Sequence, residues 1–372
     1  MKLRLFYFAP PKSLHTVRWL SAFVGLGHEV HLATTEVEAG QAIPGVIVHD
    51  MNVNGVMPGP VRFIRRWKKV RDILLAVRPQ VLHGHCVSWS GGYAAYFLGY
   101  PLVMTAWGSD VLVVPARSRL QWFATRWRLG RCNLVTVDSD DLKRAVTAFG
   151  VTADRVVLVQ WGVNLGRIRS FQGSGRLREL ADVPSNAFVV LSTRLFEPIY
   201  NLESVLCALP GVLSAIEREV CFVFIGGGSL QPRLEALARD LGASKYVRFV
   251  GHLAHEDLEE CYAGADVYVS VAQSDSTSVS LLEAMAAGLP AVVSDVPSNL
   301  EWVRDGWNGY VVPRGDSDAI AKAIVCLIAD ECIRMKFGAR SAEIATENVD
   351  HIANMRKMEG LYQALAKSGH RA

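Results

Sequence analysis

Two carboxylates, Asp275 and Glu283, flank a polar loop that leads into a predicted helix. The loop residues 276–278 are small, so no large side chain blocks a ligand from the backbone, and the segment after them is dense in strong helix formers. An alternating apolar run over 267–271 precedes the loop and predicts a buried strand, while Gly288 and the proline near it predict the end of the helix. The pattern is therefore strand, loop, helix, strand, with a carboxylate at each end of the junction.

This junction has the chemistry of a nucleotide-sugar site. A loop that enters a helix N-terminus presents backbone N–H groups and the positive end of the helix dipole, which suit a phosphate. An ionised carboxylate accepts two O–H donors and therefore suits sugar hydroxyls. The alternative is structural, with Asp275 capping the helix and Glu283 as a solvated helix residue. The loop residues that would present their backbone are Ser276, Thr277, Ser278 and Val279.

Arg194 follows a predicted strand, and a guanidinium at the carboxyl end of a strand can bind two phosphate oxygens without losing its proton. A surface ion pair is the alternative for this side chain. Two glycines also end predicted strands, Gly226 in a run of three glycines and Gly251 further on. A lone glycine run is weak evidence for a ligand site, because it also serves a tight turn.

Predicted strands and helices alternate along the chain in two series. The first series opens with a βαβ pattern, but the loop that holds His15 lacks the G-x-G-x-x-G spacing and gives no support for dinucleotide binding. Residues 162–175 show no periodicity and are predicted to be a linking loop. The alternation restarts after them, and 372 residues fit two domains. The sequence thus predicts two α/β domains with parallel sheets and ligands at the carboxyl ends of the strands.

Composition favours a cytoplasmic protein that has no metal-ligand spacing and no disulfide framework. The seven cysteines form no C-x-x-C pair, which is typical of reduced core thiols. No apolar run reaches the roughly 18–20 residues that span a bilayer. The apolar run at the N-terminus is short and broken by prolines, so it predicts a buried strand and not a signal peptide.

The window 61–131 is strongly basic, with twelve Lys or Arg and only two acids, Asp72 and Asp110. Phenylalanine and tryptophan are interleaved with these cations, a composition that suits docking on an anionic membrane surface. A solvated helix face is the equal alternative. Nucleic acid is disfavoured as a partner, because no nucleic-acid motif accompanies the basic patch.

The C-terminal half is similar to the donor site of retaining GT-B glycosyltransferases of family 4, also called glycosyltransferase group 1. The resemblance rests on Asp275 and Glu283 at their seven-residue gap, on Ala-Met-Ala-Ala-Gly-Leu-Pro after them, and on the Asn-Gly-Tyr at 308–310. The family usually has Glu where this chain has Asp275, and Gly-Phe-Gly where it has Ser-Thr-Ser. Arg194 matches a family arginine, whereas Tyr200 and its neighbours occupy the place of the lysine that usually follows it.

The resemblance implies an α/β GT-B architecture, in which two Rossmann-like domains with parallel sheets face a central cleft. We expect an acceptor-binding domain over 1–165 and a nucleotide-sugar donor domain over 166–348. A C-terminal helix over 349–372 is expected to cross back to the first domain.

The activity implied is transfer of a sugar, with retention of configuration, from a nucleotide diphosphate-sugar to an acceptor hydroxyl in polysaccharide, glycolipid or other glycoconjugate biosynthesis. It needs no cofactor and no metal, and a UDP- or GDP-sugar is the favoured donor. Arg194 and the loop amides would stabilise the leaving diphosphate, Asp275 would hold the donor sugar and Glu283 the ribose. The further donor-binding residues would be Asn201, Gly226, Gly251, Ser276, Thr277, Ser278 and Val279.

The acceptor side is expected to include His15, His83, His85 and Asp110, although a lone histidine more often has a structural role. His83 and His85 lie at the end of a predicted strand, and we expect them to point to opposite faces. Asp110 either binds an acceptor hydroxyl or caps a turn. The acceptor would be a carbohydrate or a lipid-linked molecule, and the protein cytoplasmic or peripheral on the inner face of the cell membrane.

Two alternatives remain open. A GT-B nucleotide-sugar epimerase would share the fold and the donor pocket, and a non-catalytic relative would act as the partner subunit of another transferase. The absent lysine and the Asp-for-Glu change keep the second alternative open, while the joint presence of Arg194, Asp275 and Glu283 argues against it.

Overall fold

The computed structural model describes residues 1–36, 43–53, 58–87, 96 and 98–368. The chain divides into two compact units, Met1–Trp161 with Ile352–Ala372, and Gly162–His351. A helix that the sequence predicts over 88–98 lies, apart from Tyr96 and Leu98, outside the described residues. Over the described ranges, no helix is both long enough and apolar enough to cross a bilayer.

The first unit is built on a parallel sheet of seven strands in the order β3-β2-β1-β4-β5-β6-β7. The order reverses between β1 and β4, which are neighbours in the sheet but not in sequence, and ligands of open α/β sheets bind at such a point. The strands are β1 (Arg4–Phe8), β2 (Glu29–Thr34), β3 (Val46–Asp50), β4 (Val81–His85), β5 (Leu102–Thr105), β6 (Leu134–Val137) and β7 (Val156–Leu158).

Helices cover both faces of this sheet, as a buried parallel sheet requires. Val70 and Leu74 of one helix, Leu129 of another and Leu142 of a third enter the same core cluster, so these three helices lie on one face. The helices are α1 (Leu14–Gly25), α2 (Gly59–Val77), α3 (Ser109–Leu112), α4 (Arg119–Gly130) and α5 (Asp140–Ala148).

The last helix, α15 (His351–Ser368), packs onto the first unit through Tyr362. The Tyr362 hydroxyl lies 3.1 Å from that of Tyr7 on β1 and accepts a hydrogen bond of 3.2 Å from the Trp19 indole on α1. These groups are wholly buried, and a buried polar group without such partners would cost about 1–3 kcal/mol. The hydrogen bonds therefore fix where the final helix sits on the first unit.

The second unit has a parallel sheet of six strands in the order β10-β9-β8-β11-β12-β13. The strands are β8 (Phe188–Ser192), β9 (Val220–Ile225), β10 (Val247–Gly251), β11 (Val267–Ser270), β12 (Ala291–Ser294) and β13 (Gly309–Val312). The helices are α6 (Leu165–Ser170), α7 (Arg176–Leu180), α8 (Leu202–Ala215), α9 (Gln231–Asp240), α10 (His255–Cys261), α11 (Val279–Ala286), α12 (Pro297–Leu300), α13 (Ser317–Ala329) and α14 (Glu331–Asn348).

Strand β11 shows how the two faces of this sheet differ. Val267 and Val269 enter the core under α8 and α13, whereas Tyr268 points to the opposite face, where α11 packs. This is the period-2 alternation of a strand buried on both sides. The alternation places a tyrosine hydroxyl beneath the helix that carries Glu283.

The stretch 162–175, predicted as a loop, contains the short helix α6, so that prediction is wrong in part. Leu165 and Ile168 are buried in the core of the second unit, and the Asn164 side chain accepts a hydrogen bond of 3.1 Å from the N–H of Arg167. A six-residue helix with two buried positions is too short to show periodicity in the sequence.

Candidate functional site

The candidate donor site of the second unit lies at the carboxyl ends of β8 and β11. These strands are parallel neighbours, so the segments that leave them emerge side by side. Arg194 follows β8, and the loop that leads into α11 follows β11. The structure accordingly brings the Arg194 guanidinium to 2.6 Å from the Asp275 carboxylate, across 81 residues of sequence.

Arg194 is held on several sides and is only 8% exposed. One terminal nitrogen donates to Asp275, and the other donates to the hydroxyls of Ser278 and, at 3.2 Å, of Ser280. The Tyr200 ring covers the guanidinium with 4.1 Å between the ring centroid and Cζ. Within the described part of the chain, the buried Nε–H has no hydrogen-bond partner. The contacts therefore hold the cation in one position with part of its donor capacity unused.

Burial and pairing act in opposite directions on this ion pair. Burial alone would lower the pKa of Arg194, but the Asp275 carboxylate and the nearby tyrosines raise it. Burial raises the pKa of Asp275, and Arg194 together with the N–H of Ser276 offsets part of that rise. The guanidinium stays charged under all working conditions.

The N-terminus of α11 faces the same point. Ser278 is its N-cap, and the Ser278 hydroxyl accepts a hydrogen bond of 3.3 Å from the N–H of Leu281. The first turn carries no acidic side chain that would repel an anion. Thr277 and Ser278 are buried, whereas Ser276 and Val279 are half-buried. The four predicted loop residues therefore lie at the helix end that suits a phosphate.

Glu283 is buried one helical turn further on, and two side chains hold its carboxylate. The Tyr262 hydroxyl donates to one oxygen at 2.9 Å, and the His255 ring nitrogen lies 3.6 Å from the other. Burial, and the nearby Glu283 charge, raise the pKa of Tyr262, so its hydroxyl keeps its proton and acts as the donor. Glu283 is therefore a fixed, buried acceptor and not a solvated helix residue.

A series of close polar contacts joins the two carboxylates. The Thr193 hydroxyl lies 3.0 Å from that of Tyr262 and 3.1 Å from that of Tyr268, and it donates its one proton to one of them. Tyr268 in turn donates to Ser280 at 2.8 Å, and Ser280 is bonded to Arg194. Polar groups linked in this way inside a low-dielectric interior stiffen one another. The two ends of the seven-residue gap are thus one network.

His255, Glu259 and Glu283 offer ligand atoms that all lie within 4.8 Å of one another. Arg167 donates to Glu259 at 2.6 Å and lies on the far side of that carboxylate from His255. Burial favours a raised pKa for Glu259, but the hydrogen bonds from His255 and Arg167 lower it. These side chains form a polar network beside Glu283.

The remaining predicted donor-side residues, Asn201, Gly226 and Gly251, shape the backbone of the loops around the site. Asn201 has a positive φ of 53°, begins α8 and accepts a hydrogen bond of 2.9 Å from Ser204, so its side chain is engaged in the turn. Gly226 has a φ of 146°, and a Cβ there would lie 2.9 Å from the Arg194 carbonyl oxygen. The Gly226 N–H donates to the Gly251 carbonyl at 2.9 Å. Gly226 therefore allows the β9 loop to close against the Arg194 segment.

In the first unit, two predicted acceptor residues are engaged in internal hydrogen bonds. The buried His83 ring bonds to Tyr362 at 2.5 Å and to Thr105 at 2.7 Å. The buried Asp110 carboxylate accepts from the N–H groups of Val87, at 2.6 Å, and Trp107, at 2.9 Å. The structural interpretation therefore fits both residues, and their place on the acceptor side stays a prediction.

His85 and His15 have a different setting. His85 ends β4 beside the β1/β4 reversal, is wholly buried, and has no hydrogen-bond partner for either ring nitrogen among the described residues. Its ring lies 5.3 Å from that of Trp19 and 5.8 Å from that of Trp161. Half-buried His15 lies 4.7 Å from the same Trp161 ring. Burial, and to a lesser degree His15, lowers the pKa of His85 to about 3, so His85 is neutral.

The expectation that His83 and His85 point to opposite faces is wrong. Residues two apart on a strand line the same face. Their ring centroids are 4.7 Å apart, and both rings pack edge-on against Trp19.

Tyr262, Tyr268 and Trp161 of these sites are not singled out from the sequence, and Tyr200 is named there only as a replacement for the family lysine. Tyr268 lies between two core valines in the sequence, and the alternation of a strand predicts that its hydroxyl points to the opposite face of the sheet. Tyr200 is signalled by the absent family lysine. Tyr262 and Trp161 have no signal of their own, because their positions depend on how separate elements pack.

Family models match both halves of the chain. One model, described as glycosyl transferases group 1, matches residues 176–344, and another, described as glycosyltransferase family 4, matches residues 13–167. Among curated proteins, a phosphatidyl-myo-inositol mannosyltransferase of Mycobacterium leprae is 33% identical over 193 residues. That match spans 51% of this chain and 50% of the relative, which is about half the length of each.

Solved structures share the whole fold. A glycosyltransferase from Rickettsia africae has a TM-score of 0.85 at 17% identity and covers 98% of this chain and 99% of its own. HepE from Anabaena, solved with UDP, has a TM-score of 0.80 at 18% identity and covers 98% and 100%. With a family model matched in each half and the architecture of these solved structures, the chain belongs to the group 1 glycosyltransferases and has the GT-B fold.

Proposed function

We propose that the protein is a retaining, metal-independent glycosyltransferase that moves a sugar from a nucleotide diphosphate-sugar to an acceptor hydroxyl in glycoconjugate biosynthesis. The observation that carries the proposal is the buried Arg194 guanidinium, which Asp275 and two serines fix beside the loop that enters α11. Its position at the N-terminus of α11 joins a permanent cation to a helix end that favours anions.

Each donor-side group has a role in this reaction. Arg194 and the amides over 276–279 hold the diphosphate and stabilise the charge that it gains when the bond to the anomeric carbon breaks. Asp275 accepts hydroxyls of the donor sugar, and Glu283 accepts those of the ribose. The acceptor oxygen forms the new bond on the face that the diphosphate leaves, and its proton passes to the departing phosphate oxygen. His15 and His85, at the carboxyl end of the first sheet, belong to the acceptor side.

A thermal-shift screen against UDP, GDP, ADP, dTDP and their common sugars tests the donor assignment. A ligand at 100 times its dissociation constant adds about 2.7 kcal/mol of stability. We expect a clear shift with one nucleotide family, with UDP and GDP favoured, and the same shift in EDTA and in Mg²⁺. HepE, which shares the fold, was solved with UDP. No shift with any nucleotide would overturn the proposal in favour of a non-catalytic partner subunit.

The same screen supplies the donor for a test of retention. We expect NMR of the product to show the anomeric configuration of the donor. An inverted product would contradict the retaining mechanism while leaving the transferase assignment intact, and an isomerised donor would indicate an epimerase.

We further infer that the acceptor is carbohydrate or lipid-linked and that the basic region 61–131 docks on the anionic inner face of the cell membrane. The mannosyltransferase relative is named for a lipid acceptor. Several large apolar side chains of this region are exposed to solvent, among them Leu120 (78% exposed), Phe123 (61%) and Ile64 (53%). Arginines alternate with them on α2 and α4, and this combination suits an anionic lipid surface.

Vesicle co-sedimentation tests the membrane inference. We expect the protein to bind vesicles that contain anionic lipid and to bind neutral vesicles weakly. The double variant Leu120→Ser, Phe123→Ser should bind anionic vesicles roughly a hundredfold more weakly or worse, because about 1.5–3 kcal/mol is removed for each of the two buried side chains. Met335→Ser, at an equally exposed position on α14, is the matched control. Equal binding by all three proteins would contradict the inference.

A further inference from the structure

Tyr200 occupies a place that the backbone fixes. It ends a short 3₁₀ turn over Pro198–Tyr200, directly before the left-handed Asn201. The carbonyl of Ile199 accepts a hydrogen bond of 2.8 Å from the N–H of Gln273, which ties this turn to the loop after β11. The ring is therefore delivered to the donor site by the two loops that also carry Arg194 and Asp275.

The ring closes the set of contacts around Arg194. Asp275 and the two serines hold the edges of the guanidinium, and Tyr200 holds a face at 4.1 Å. A free arginine side chain samples many rotamers, and fixing one of them costs conformational entropy. Contacts that fix it before a ligand arrives remove that cost from binding. The stack thus contributes pre-organisation as well as cation–π attraction.

The stack of Tyr200 on Arg194 matters because the formal charge of Arg194 is balanced by a neighbouring carboxylate. Arg194 is paired with Asp275, so the two formal charges cancel at this point. Tyr200 stands where the resemblance leads one to expect a second cation, and it brings no charge. Diphosphate binding by these loops therefore depends on the geometry of the Arg194 guanidinium and on the amides at the N-terminus of α11.

We propose that Tyr200 is a positioning residue of the donor site, whose ring holds the Arg194 guanidinium in the orientation that receives the donor diphosphate. This proposal rests on the proposed function. The face of the Tyr200 ring holds the guanidinium, and the Tyr200 hydroxyl plays no part in this. At position 200 the site thus has an aromatic ring over its cation where the resemblance leads one to expect a second cation.

Calorimetry with the nucleoside diphosphate found in the screen, UDP or GDP, tests the proposal on Tyr200→Phe, Tyr200→Leu and Tyr200→Lys. We expect Tyr200→Phe to bind within about twofold of the unmodified protein, and Tyr200→Leu about tenfold more weakly, because only the phenylalanine keeps the cation–π stack. Tyr200→Lys should make the dissociation constant more dependent on salt, because it adds a charge that salt screens. A purely structural role predicts that Tyr200→Leu loses thermal stability together with binding, whereas a positioning role predicts weaker binding at unchanged thermal stability.

Tyr246→Leu is the matched control, since Tyr246 also stacks on a cation, Lys245 at 4.6 Å, at the opposite end of the sheet. It should leave diphosphate binding unchanged. The proposal is overturned if Tyr200→Leu binds as the unmodified protein does, or if the phenylalanine variant is as weak as the leucine variant. An unmodified protein that binds no nucleoside diphosphate would instead contradict the proposed function itself.

Discussion

Replacing Arg194 with lysine is expected to lower kcat by about a hundredfold or more, with a smaller rise in KM. Lysine keeps the charge, but its compact ammonium cannot bond to Asp275 and the two serines while leaving a donor for the diphosphate. Removing one pre-organised donor from a charge-stabilising site costs roughly 10²–10³ in rate. Steady-state kinetics with the donor identified by thermal shift measure this change.

Arg334→Lys is the matched control for this variant. Arg334 has a side chain only 12% exposed, pairs with a carboxylate and stacks on an aromatic ring, Phe188 at 5.2 Å, as Arg194 does on Tyr200. It lies on α14, outside the donor loops. We expect Arg334→Lys to keep full activity and to share any loss of thermal stability. Full activity of Arg194→Lys would refute the assignment of Arg194 to the diphosphate.

The proximity of Arg194 to Asp275 follows from the strand pattern alone. Each follows a predicted buried strand, and neighbouring parallel strands end at one edge of the sheet. The pattern could not predict that the two side chains bond to each other, because that contact depends on the path of two loops and on rotamers. The Tyr200 stack is of the same kind, since it depends on a left-handed residue at Asn201.

Some elements of the fold can be predicted from the apolar pattern of the sequence, whereas others depend on tertiary packing. The apolar residues of β2 and β9 predict both strands with the observed bounds. Every position after the first residue of β2, and every position of β9, is buried. The edge strand β3 is largely exposed and gives no such signal. A helix predicted to end at Leu209, before Pro210, continues to Ala215 because Val212 packs in the core. Tertiary packing overrides a local breaker there.

His85→Phe is expected to remove much of the acid sensitivity of the first unit. The folded pKa of His85 is about 3 and the unfolded value about 6.5, so the unfolded chain binds the extra proton. The stability from neutral His85 is complete above pH 6.5 and is lost as the pH falls towards 3, by about 2.7 kcal/mol at pH 4.5. Phenylalanine keeps the aromatic volume and cannot take up the proton.

Urea unfolding between pH 7 and 4.5 measures this effect, with hydrogen exchange in β1 and β4 as the probe of the first unit. The ionisable neighbours of His85 are His15, His83 and Tyr7, and the buried His83 also has a lowered pKa. Because His83 remains, we expect the pH slope to fall and not to vanish. An unchanged slope would mean that His85 is not the group that takes up the proton.

The same variant separates stability from function. Both His85 nitrogens lack partners among the described residues, so at pH 7 the phenylalanine variant should be as stable as the unmodified protein or more stable. A buried imidazole without hydrogen-bond partners lowers the stability of the fold. At a sheet reversal, however, its nitrogens can bind an acceptor hydroxyl. We therefore expect His85→Phe to bind the nucleotide normally and to lose transfer to the acceptor. Normal transfer would assign His85 to the aromatic core alone.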